Sequence, residues 1–237
     1  MIVIGVPGPW EDFGQLFEAV RQVHGSKYLV SSHTLWETAS EERCDIEIQG
    51  FDERLADAFR IAGRGGLSDE TLNAIGGHKL TVYAVSDDAS YEDSRRVARF
   101  VAVLLQAGGY AVKVESAGVA HEKETWLAEG RSENPIDIYS LFISMVAGDG
   151  YIYSCGMHNF GLPDAAVEES LEVEGAVHLI NVFNRYQLTE APQFKDGHTF
   201  SVGAAAPQFR LELRPYVDYD PEAALYNPYG MWYMKPV

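Results

Sequence analysis

Residues 44–51 read CDIEIQGF, and this short stretch decides the fold class that the sequence predicts. Its apolar residues, Cys44, Ile46 and Ile48, alternate with acidic residues, a period of two that is typical of a β-strand with one buried and one solvated face. An antiparallel or mixed sheet built from such strands buries its apolar face against helices. The stretch therefore predicts one strand of such a sheet, and the helices predicted on either side of it make the expected class α+β.

The segments around this strand supply the rest of a β-α-β-β-α-β unit between residue 1 and about residue 88. Apolar or alternating runs indicate the strands, and apolar residues at helical spacing indicate the helices. In chain order they are strand MIVIGV (1–6), helix GPWEDFGQLFEAVRQVHG (8–25), strand YLVSSHTLWETAS (28–40), strand 44–51, helices ERLADAFRIAG (53–63) and LSDETLNAIGG (67–77), and strand LTVYAVS (80–86). Ser68 is the predicted N-cap of the helix that follows it.

This order predicts a ferredoxin-like N-terminal half over residues 1–118, with an antiparallel or mixed sheet and helices on one face. A long helix, SYEDSRRVARFVAVLLQAGG (90–109), and a strand, YAVKVES (110–116), complete that half. Residues 119–237 are predicted to form a second α+β half, either as a separate domain or packed with the first as one.

The second half contains strand GYIYSCGM (150–157) and a segment, residues 162–188, whose composition predicts a helix that begins at Pro163 and Asp164. Four carboxylates are expected on the solvent side of the first turns of this helix, where they favour its positive end. They are Glu168, Glu169, Glu172 and Glu174.

The charge balance indicates which partners the chain can bind. The 237 residues include 18 Lys and Arg against 35 Asp and Glu, a formal charge of −17. A field of this sign repels polyanions, so we expect neither nucleic acid nor an anionic membrane as a partner. A basic protein is the macromolecule that such a field attracts, although an acidic surface without any partner has the same composition.

Other features of the sequence indicate a cytoplasmic protein. No apolar run reaches the roughly 18 residues that span a bilayer, and Met1 is followed by IVIGVPGPW without a basic n-region or a cleavage site. The two cysteines, Cys44 and Cys155, are too few for a disulfide scaffold, so both are expected to be thiols in a reducing compartment.

Three segments resemble a known family. They are EDFGQLFEAV (11–20), AGGYAVKVESAGVAH (107–121) and YSCGMHNFGLPDAAV (153–167), and the resemblance to the uncharacterised bacterial proteins of domain-of-unknown-function family 4261 spans nearly the whole chain. The resemblance implies a cytosolic bacterial protein without an established reaction or ligand. An immunity-type role beside a secreted toxin is among the functions that such a family suggests.

The third of these segments contains a candidate site. Cys155 and His158 lie three residues apart at the exit of a strand, and VESAGVAH (114–121) places Glu115 and His121 at the exit of another. If the two strands are neighbours, two imidazoles, a thiolate and a carboxylate meet in one cleft that could bind Zn²⁺ or a similar ion, or could contain a Cys-His nucleophilic pair. Neither a CxxC nor an HExxH ligand pair is present.

A structural interpretation of the same residues is the alternative. Each histidine then bonds a backbone carbonyl or caps a helix, and Cys155 is a small buried apolar residue. Gly156 and Gly161 then supply positive φ in a tight turn.

Two classes of function follow. The first is a non-enzymatic, acidic protein-interaction module, immunity-type or regulatory, which fits the charge and the lack of a P-loop, a GxGxxG motif or a GxSxG elbow. The second is a small-molecule or metal-dependent enzyme that uses a cleft around His121 and His158. Neither a specific cofactor nor an oligomeric state follows from the sequence.

Overall fold

The computed structural model describes residues 1–148, 150–169, 171–216 and 219–237, which form the predicted α+β fold with two sheets. The strands are β1 (Ile2–Gly8), β2 (Tyr28–Val30), β3 (Thr34–Glu37), β4 (Arg43–Gln49), β5 (Leu80–Ser86), β6 (Ala111–Val114), β7 (Val119–Glu122), β8 (Ser144–Gly148), β9 (Tyr151–Cys155), β10 (Asp164–Glu168), β11 (Thr199–Phe200), β12 (Phe209–Arg214) and β13 (Met231–Pro236). The helices are α1 (Phe13–His24), α2 (Leu55–Gly63), α3 (Asp69–Gly76), α4 (Tyr91–Gln106), α5 (Lys123–Glu129), α6 (Pro135–Phe142) and α7 (Val173–Glu190), with a 3-10 turn at Met157–Phe160.

Side-chain caps begin four of the helices, and at α6 the Oδ1 of Asn134 accepts from the N–H of Ile136 at 3.1 Å. Asp12, Ser68 and Ser90 each accept a hydrogen bond from the backbone N–H three residues later, at 2.9, 3.1 and 3.0 Å. Such a cap satisfies an N–H that has no partner inside the helix. The predicted cap at Ser68 is confirmed. In the described part of the chain, no helix is both long and apolar enough to cross a membrane.

The first sheet has seven strands in the order β2-β3-β4-β5-β1-β6-β7, and its neighbouring strands pair antiparallel. From β1 the chain passes through α1 and the β2–β3 hairpin to β4, and β5 lies between β1 and β4. From β5 it passes through α4 to β6, and β1 lies between those two strands. The sheet therefore contains two split β-α-β crossovers.

The ferredoxin-like unit predicted for residues 1 to about 88 is not confirmed. In that unit, the helices after the third strand would lead to a fourth strand separated from the third by another strand. Instead, α2 and α3 connect β4 to β5, and these two strands are direct antiparallel neighbours. The second crossover is made by α4, which lies beyond the predicted unit.

The prediction that helices cover one face of the sheet is wrong. Ala111 and Val112 are adjacent in β6, so their side chains point to opposite faces. Val112 packs in the core that contains Val101 of α4, whereas Ala111 packs with Phe59 of α2. Helices therefore cover both faces: α1 and α4 lie on one, and α2 and α3 cover part of the other.

The second sheet has six strands in the order β11-β12-β13-β10-β9-β8. It is mixed, because β10 and β13 are parallel and the other pairs are antiparallel. Helix α7 buries Ile180 and Phe183 against Val167 and Trp232 on one face. On the other face, aromatic residues of the segment before β13 pack on the strands; this cluster contains Tyr151, Tyr153, Tyr216, Tyr219, Tyr226 and Tyr233.

The first sheet and its core continue past the boundary predicted at residue 118. That residue lies in the turn between β6 and β7, which pair directly. Trp126 of α5 and Phe142 of α6 belong to the core under the first sheet, together with Met157 and Phe160 from the 3-10 turn. A cut at residue 118 would separate these side chains from the sheet that they cover.

The predicted helix over residues 162–188 is wrong in its first third. Residues Asp164–Glu168 form β10, which is buried between β9 and β13, and helix α7 begins only at Val173. Of the four carboxylates placed on the first helical turns, only Glu174 lies in the helix. A strand that is buried on both faces lacks polar alternation, so its composition resembles that of a buried helix.

Candidate functional site

The turn between β9 and β10 depends on two glycines with positive φ. Gly156 has a φ of 127° and Gly161 a φ of 74°, as the structural interpretation of this turn predicted. A Cβ at Gly156 would collide with the carbonyl oxygen of Phe142, and one at Gly161 would lie 2.6 Å from that of Ala89. Both the backbone conformation and the available space therefore require glycine.

His121 lies within β7, directly opposite Val112 of β6, and its side chain points toward the core under α4. Its Nε2 is 2.9 Å from the carbonyl oxygen of Leu141, and its ring centroid is 6.0 Å from that of Trp126. Burial lowers the pKa of His121, and the carbonyl of Leu141 opposes part of that shift. The ring therefore bonds a backbone carbonyl, as the structural interpretation predicted.

Glu115 lies on the opposite face of the same sheet. Its carboxylate forms an ion pair with Lys113, and Lys113 is opposite Ala120 in the β6–β7 pair. Ala120 packs with α2 on the face away from α4. Because Glu115 and His121 are on opposite faces of one sheet, they do not share a cleft.

Cys155 and His158 are both buried, at 1% and 2% exposure. Burial raises the pKa of the Cys155 thiol, and the nearby carboxylate of Asp164 raises it further. Burial also lowers the pKa of His158 to about 4. The backbone groups of Ser116 and Ala224 face the ring and oppose this shift. Neither ring nitrogen, however, has a described partner within hydrogen-bond geometry. Neither residue has the environment of an activated nucleophile or base.

The four candidates therefore do not form the predicted metal site. Across the residues that the structure describes, no group of three or more His, Cys, Asp or Glu side chains is placed to hold a metal ion. Each of the four instead has its own environment. Glu115 forms an ion pair, His121 bonds a backbone carbonyl, Cys155 is buried near Asp164, and His158 is buried beside backbone groups of Ser116 and Ala224.

Asp164 is a buried polar centre that was not predicted. It has no exposed surface, and its carboxylate accepts hydrogen bonds from Ser154 Oγ at 2.9 Å, the N–H of Met157 at 3.1 Å and Asn227 Nδ2 at 2.6 Å. Burial raises the pKa of Asp164 to about 6, and these donors oppose the shift. The only sequence signal is a Pro-Asp pair, which was interpreted as the start of a helix.

A second buried polar residue, Asn159, joins the turn to the first sheet. Ser116 donates to its Oδ1 at 2.7 Å, and Ser94 of α4 donates to its backbone carbonyl at the same distance. Its own Nδ2 donates to the carbonyl of Gly156 at 2.8 Å. The segment around residues 153–167 is therefore a hydrogen-bonded junction between the two sheets.

Part of the face away from α4 is solvent-exposed, and we call it the open face of the first sheet. Asp45 and Glu47 of β4 are exposed there, Tyr83 is opposite Glu47 in β5, and Trp36 of β3 is opposite the exposed Arg43. A groove of about 430 Å³ crosses this face beside α2. The sheet residues that line it are Val3, Glu47, Gln49, Tyr83, Val85, Lys113 and Glu115.

The electrostatics of the open face are dominated by carboxylates. Burial raises the pKa of Tyr83 to about 12, and the charges of Glu115 and Asp52 raise it further, so the phenol stays protonated at neutral pH. Asp45 and Glu47 have no ion-pair partner within the described ranges. Their charges are therefore available to a ligand.

Comparison with known proteins adds no relative: no family model, no curated protein and no solved structure matches this chain.

Proposed function

We propose that this chain is a non-enzymatic, acidic interaction module that binds a basic protein through the open face of its first sheet. The observation that carries the proposal is the combination of carboxylates without ion-pair partners and partly exposed apolar side chains on one sheet face. Asp45 and Glu47 supply the charge, and Val3, Tyr83 and Val85 supply the apolar surface. Protein interfaces commonly combine an apolar centre with a polar rim, and aromatic residues are enriched in them.

The charge of the whole chain supports the same assignment. A formal charge of −17 attracts a basic partner over a distance of about 10 Å at 0.1 M salt, so it accelerates association and makes binding salt-sensitive. Nucleic acid, which has the same sign of charge, is excluded by this mechanism. The proposal includes the cytoplasmic bacterial location that the resemblance to family 4261 implies. It also includes an immunity-type role, which such a family suggests, or a regulatory one.

The alternative, an enzyme with a cleft around His121 and His158, lacks a comparable supporting observation. Its four residues have separate environments, and Glu115 is separated from His121 by the sheet itself.

The test compares two charge reversals of equal size. Glu47→Lys changes the open face, and Glu174→Lys changes an exposed position on α7 of the second sheet. Binding of a fluorescent decalysine peptide is measured by anisotropy at several salt concentrations. We expect Glu47→Lys to weaken binding about fivefold more than Glu174→Lys, because a like charge at contact costs roughly 1 kcal/mol in water.

A spectroscopic experiment locates the peptide independently. In a ¹H–¹⁵N NMR spectrum of the wild type, the peptide should change the chemical shifts of the amide resonances of β4 and β5 more than those of α7. Equal effects of the two charge reversals, or tight salt-insensitive binding of duplex DNA, would overturn the proposal.

A further inference from the structure

Trp36 differs from the other three tryptophans because it is exposed to solvent. It is 36% exposed, against 2%, 0% and 5% for Trp10, Trp126 and Trp232. It lies in β3, near the edge of the first sheet, with Leu29 opposite it in β2 and Arg43 opposite it in β4. A large aromatic side chain at such a position is a common anchor for a binding partner.

The indole lines a groove of about 500 Å³ that also contains Glu41 and Arg43. These two residues also line an adjoining groove of about 450 Å³, in which Asp45, Asp87 and Asp88 supply further carboxylates. An aromatic surface and a group of acidic side chains are therefore next to each other at one end of the open face.

The charges in the two grooves favour a cation. Glu41, Asp45, Asp87 and Asp88 have no ion-pair partner among the residues that the structure describes. Of the two arginines in the adjoining groove, Arg96 is bound to Asp93 at 2.7 Å. This leaves Arg43 as the cation that opposes the carboxylates.

No cation of the described residues lies over the indole of Trp36. Within the described ranges, the cations that lie over aromatic rings cover Tyr28, Tyr139 and Tyr233. A cation above the face of a tryptophan is attracted by the quadrupole of the ring, and the planar guanidinium of arginine can also stack on it.

Glu41 occupies a position where glycine would be favoured. Its φ is 59°, in the left-handed region, in the loop between β3 and β4. A residue with a Cβ is strained in this conformation, and glycine or asparagine is usual there. The sequence therefore retains a carboxylate beside Trp36 at a cost in backbone strain.

We propose that Trp36 and Glu41 bind an arginine side chain of the basic partner; this site deepens the proposed function and rests on it. The guanidinium stacks on the indole and donates hydrogen bonds to the Glu41 carboxylate. Arg43 lies beside the site and repels the incoming cation, so it limits the affinity.

The experiment uses two peptides of equal charge, decaarginine and decalysine, at about 0.15 M salt, where surface attraction is largely screened beyond roughly 8 Å. Anisotropy gives the affinity of each peptide. All four tryptophans emit, but a change in emission on peptide binding reports on Trp36, because the other three tryptophans are buried and cannot contact the peptide. We expect the arginine peptide to bind more tightly and to change the emission.

Four variants identify the residues that bind the arginine peptide. Trp36→Leu should weaken binding of the arginine peptide about fivefold and change that of the lysine peptide much less, because the cation–π contact is lost while the charge is kept. Glu41→Gly should weaken binding of the arginine peptide without lowering the melting temperature. Arg43→Gln should strengthen it. Glu174→Gln removes the same charge as Glu41→Gly at a distant position and should have little effect.

The outcomes separate this site from the proposed function. If both peptides bind equally to the wild type and Trp36→Leu leaves both affinities unchanged, the arginine site is wrong while the acidic interaction module stands. If neither peptide binds with an affinity that depends on Glu47, both proposals are overturned. A lower melting temperature for Glu41→Gly would contradict the strain argument at that position.

Discussion

Asn227 Nδ2 donates a hydrogen bond of 2.6 Å to Asp164 Oδ2, and neither residue has any exposed surface. The same Nδ2 also donates to the carbonyl of Leu162 at 3.1 Å, while the Asn227 Oδ1 accepts from the N–H of Tyr229 at 2.9 Å. Asn227 thereby joins the segment before β13 to the start of β10. Each polar atom of its side chain is satisfied in the interior, where an unmatched group would be costly.

The first prediction concerns this contact. Asn227→Ala should lower the free energy of unfolding by about 2–3 kcal/mol, because the Asp164 carboxylate loses a donor that nothing replaces in the buried site. Asn73→Ala is the control, because Asn73 is exposed on α3 and alanine favours a helix. Urea unfolding followed by circular dichroism measures both variants. Equal stabilities of the two variants would contradict the assigned role of the contact.

The second prediction is a pH dependence with two opposing contributions. The pKa of Asp164 is raised from 3.8 to about 6. Between these two pH values, the folded state holds a proton that the unfolded chain has released. The contribution of Asp164 to stability therefore falls as the pH rises from 3.8 to about 6. The pKa of His158 is lowered from 6.5 to about 4, so the unfolded chain binds a proton that the folded state does not. This second contribution falls as pH decreases below about 6.5.

Replacing either residue should leave the pH dependence of stability that the other residue causes. Between about pH 4 and pH 6, each contribution amounts to about 3 kcal/mol, and the two largely cancel in the wild type. Relative to the wild type, Asp164→Asn should become more stable with rising pH, and His158→Gln less stable. His33→Gln, at an exposed histidine, is the control. Urea titrations across this range test the signs, and unchanged slopes in both variants would refute the prediction.

The third prediction concerns the two glycines of the turn. Gly161→Ala should cost roughly 1–2 kcal/mol from the left-handed backbone alone, and its Cβ would also lie 2.6 Å from the Ala89 carbonyl oxygen. Gly156→Ala should cost more, because its Cβ would collide with the Phe142 carbonyl. Gly175→Ala, on α7 with open space around it, should be neutral or stabilising. Thermal melts would contradict the argument if all three behaved alike.

The fourth prediction concerns the thiols. Cys44 and Cys155 are 3% and 1% exposed, and burial raises the pKa of both, that of Cys44 to about 12. We therefore expect no rapid reaction of the native protein with a chromogenic disulfide at neutral pH, and reaction of two thiols in urea. Ser40→Cys, at an exposed loop position, should add one rapidly reacting thiol and serves as the positive control. Rapid native reaction without this substitution would contradict the buried placement.

Elements with a regular local pattern could be predicted from the sequence. The alternation around Ile46 gave a strand that the structure places at Arg43–Gln49, and the cap at Ser68 begins α3 as expected. In both cases the deciding interactions lie within a few residues of each other along the chain. The class of the fold followed from such segments.

Elements that depend on distant neighbours could not be predicted in the same way. Residues Asp164–Glu168 form a strand that pairs with β9 on one side and, on the other, with β13, which lies more than 60 residues further along the chain. Asp164 likewise accepts its shortest hydrogen bond from Asn227, 63 residues away. The prediction of a cleft around His121 was wrong for a related reason. The turn between β6 and β7 places His121 on the opposite face of the sheet from Glu115. Local periodicity contains no information on such pairings.

The position of β13 also determines the order in which the two sheets can be completed during synthesis. The strands of the first sheet are all present once residue 122 has left the ribosome, whereas β10 has no parallel neighbour until residues 231–236 emerge. Until then β10 is an open edge with unpaired backbone groups, the kind of edge that pairs with other chains. A chain released from the ribosome before β13 is synthesised would therefore have a complete first sheet and an aggregation-prone second sheet.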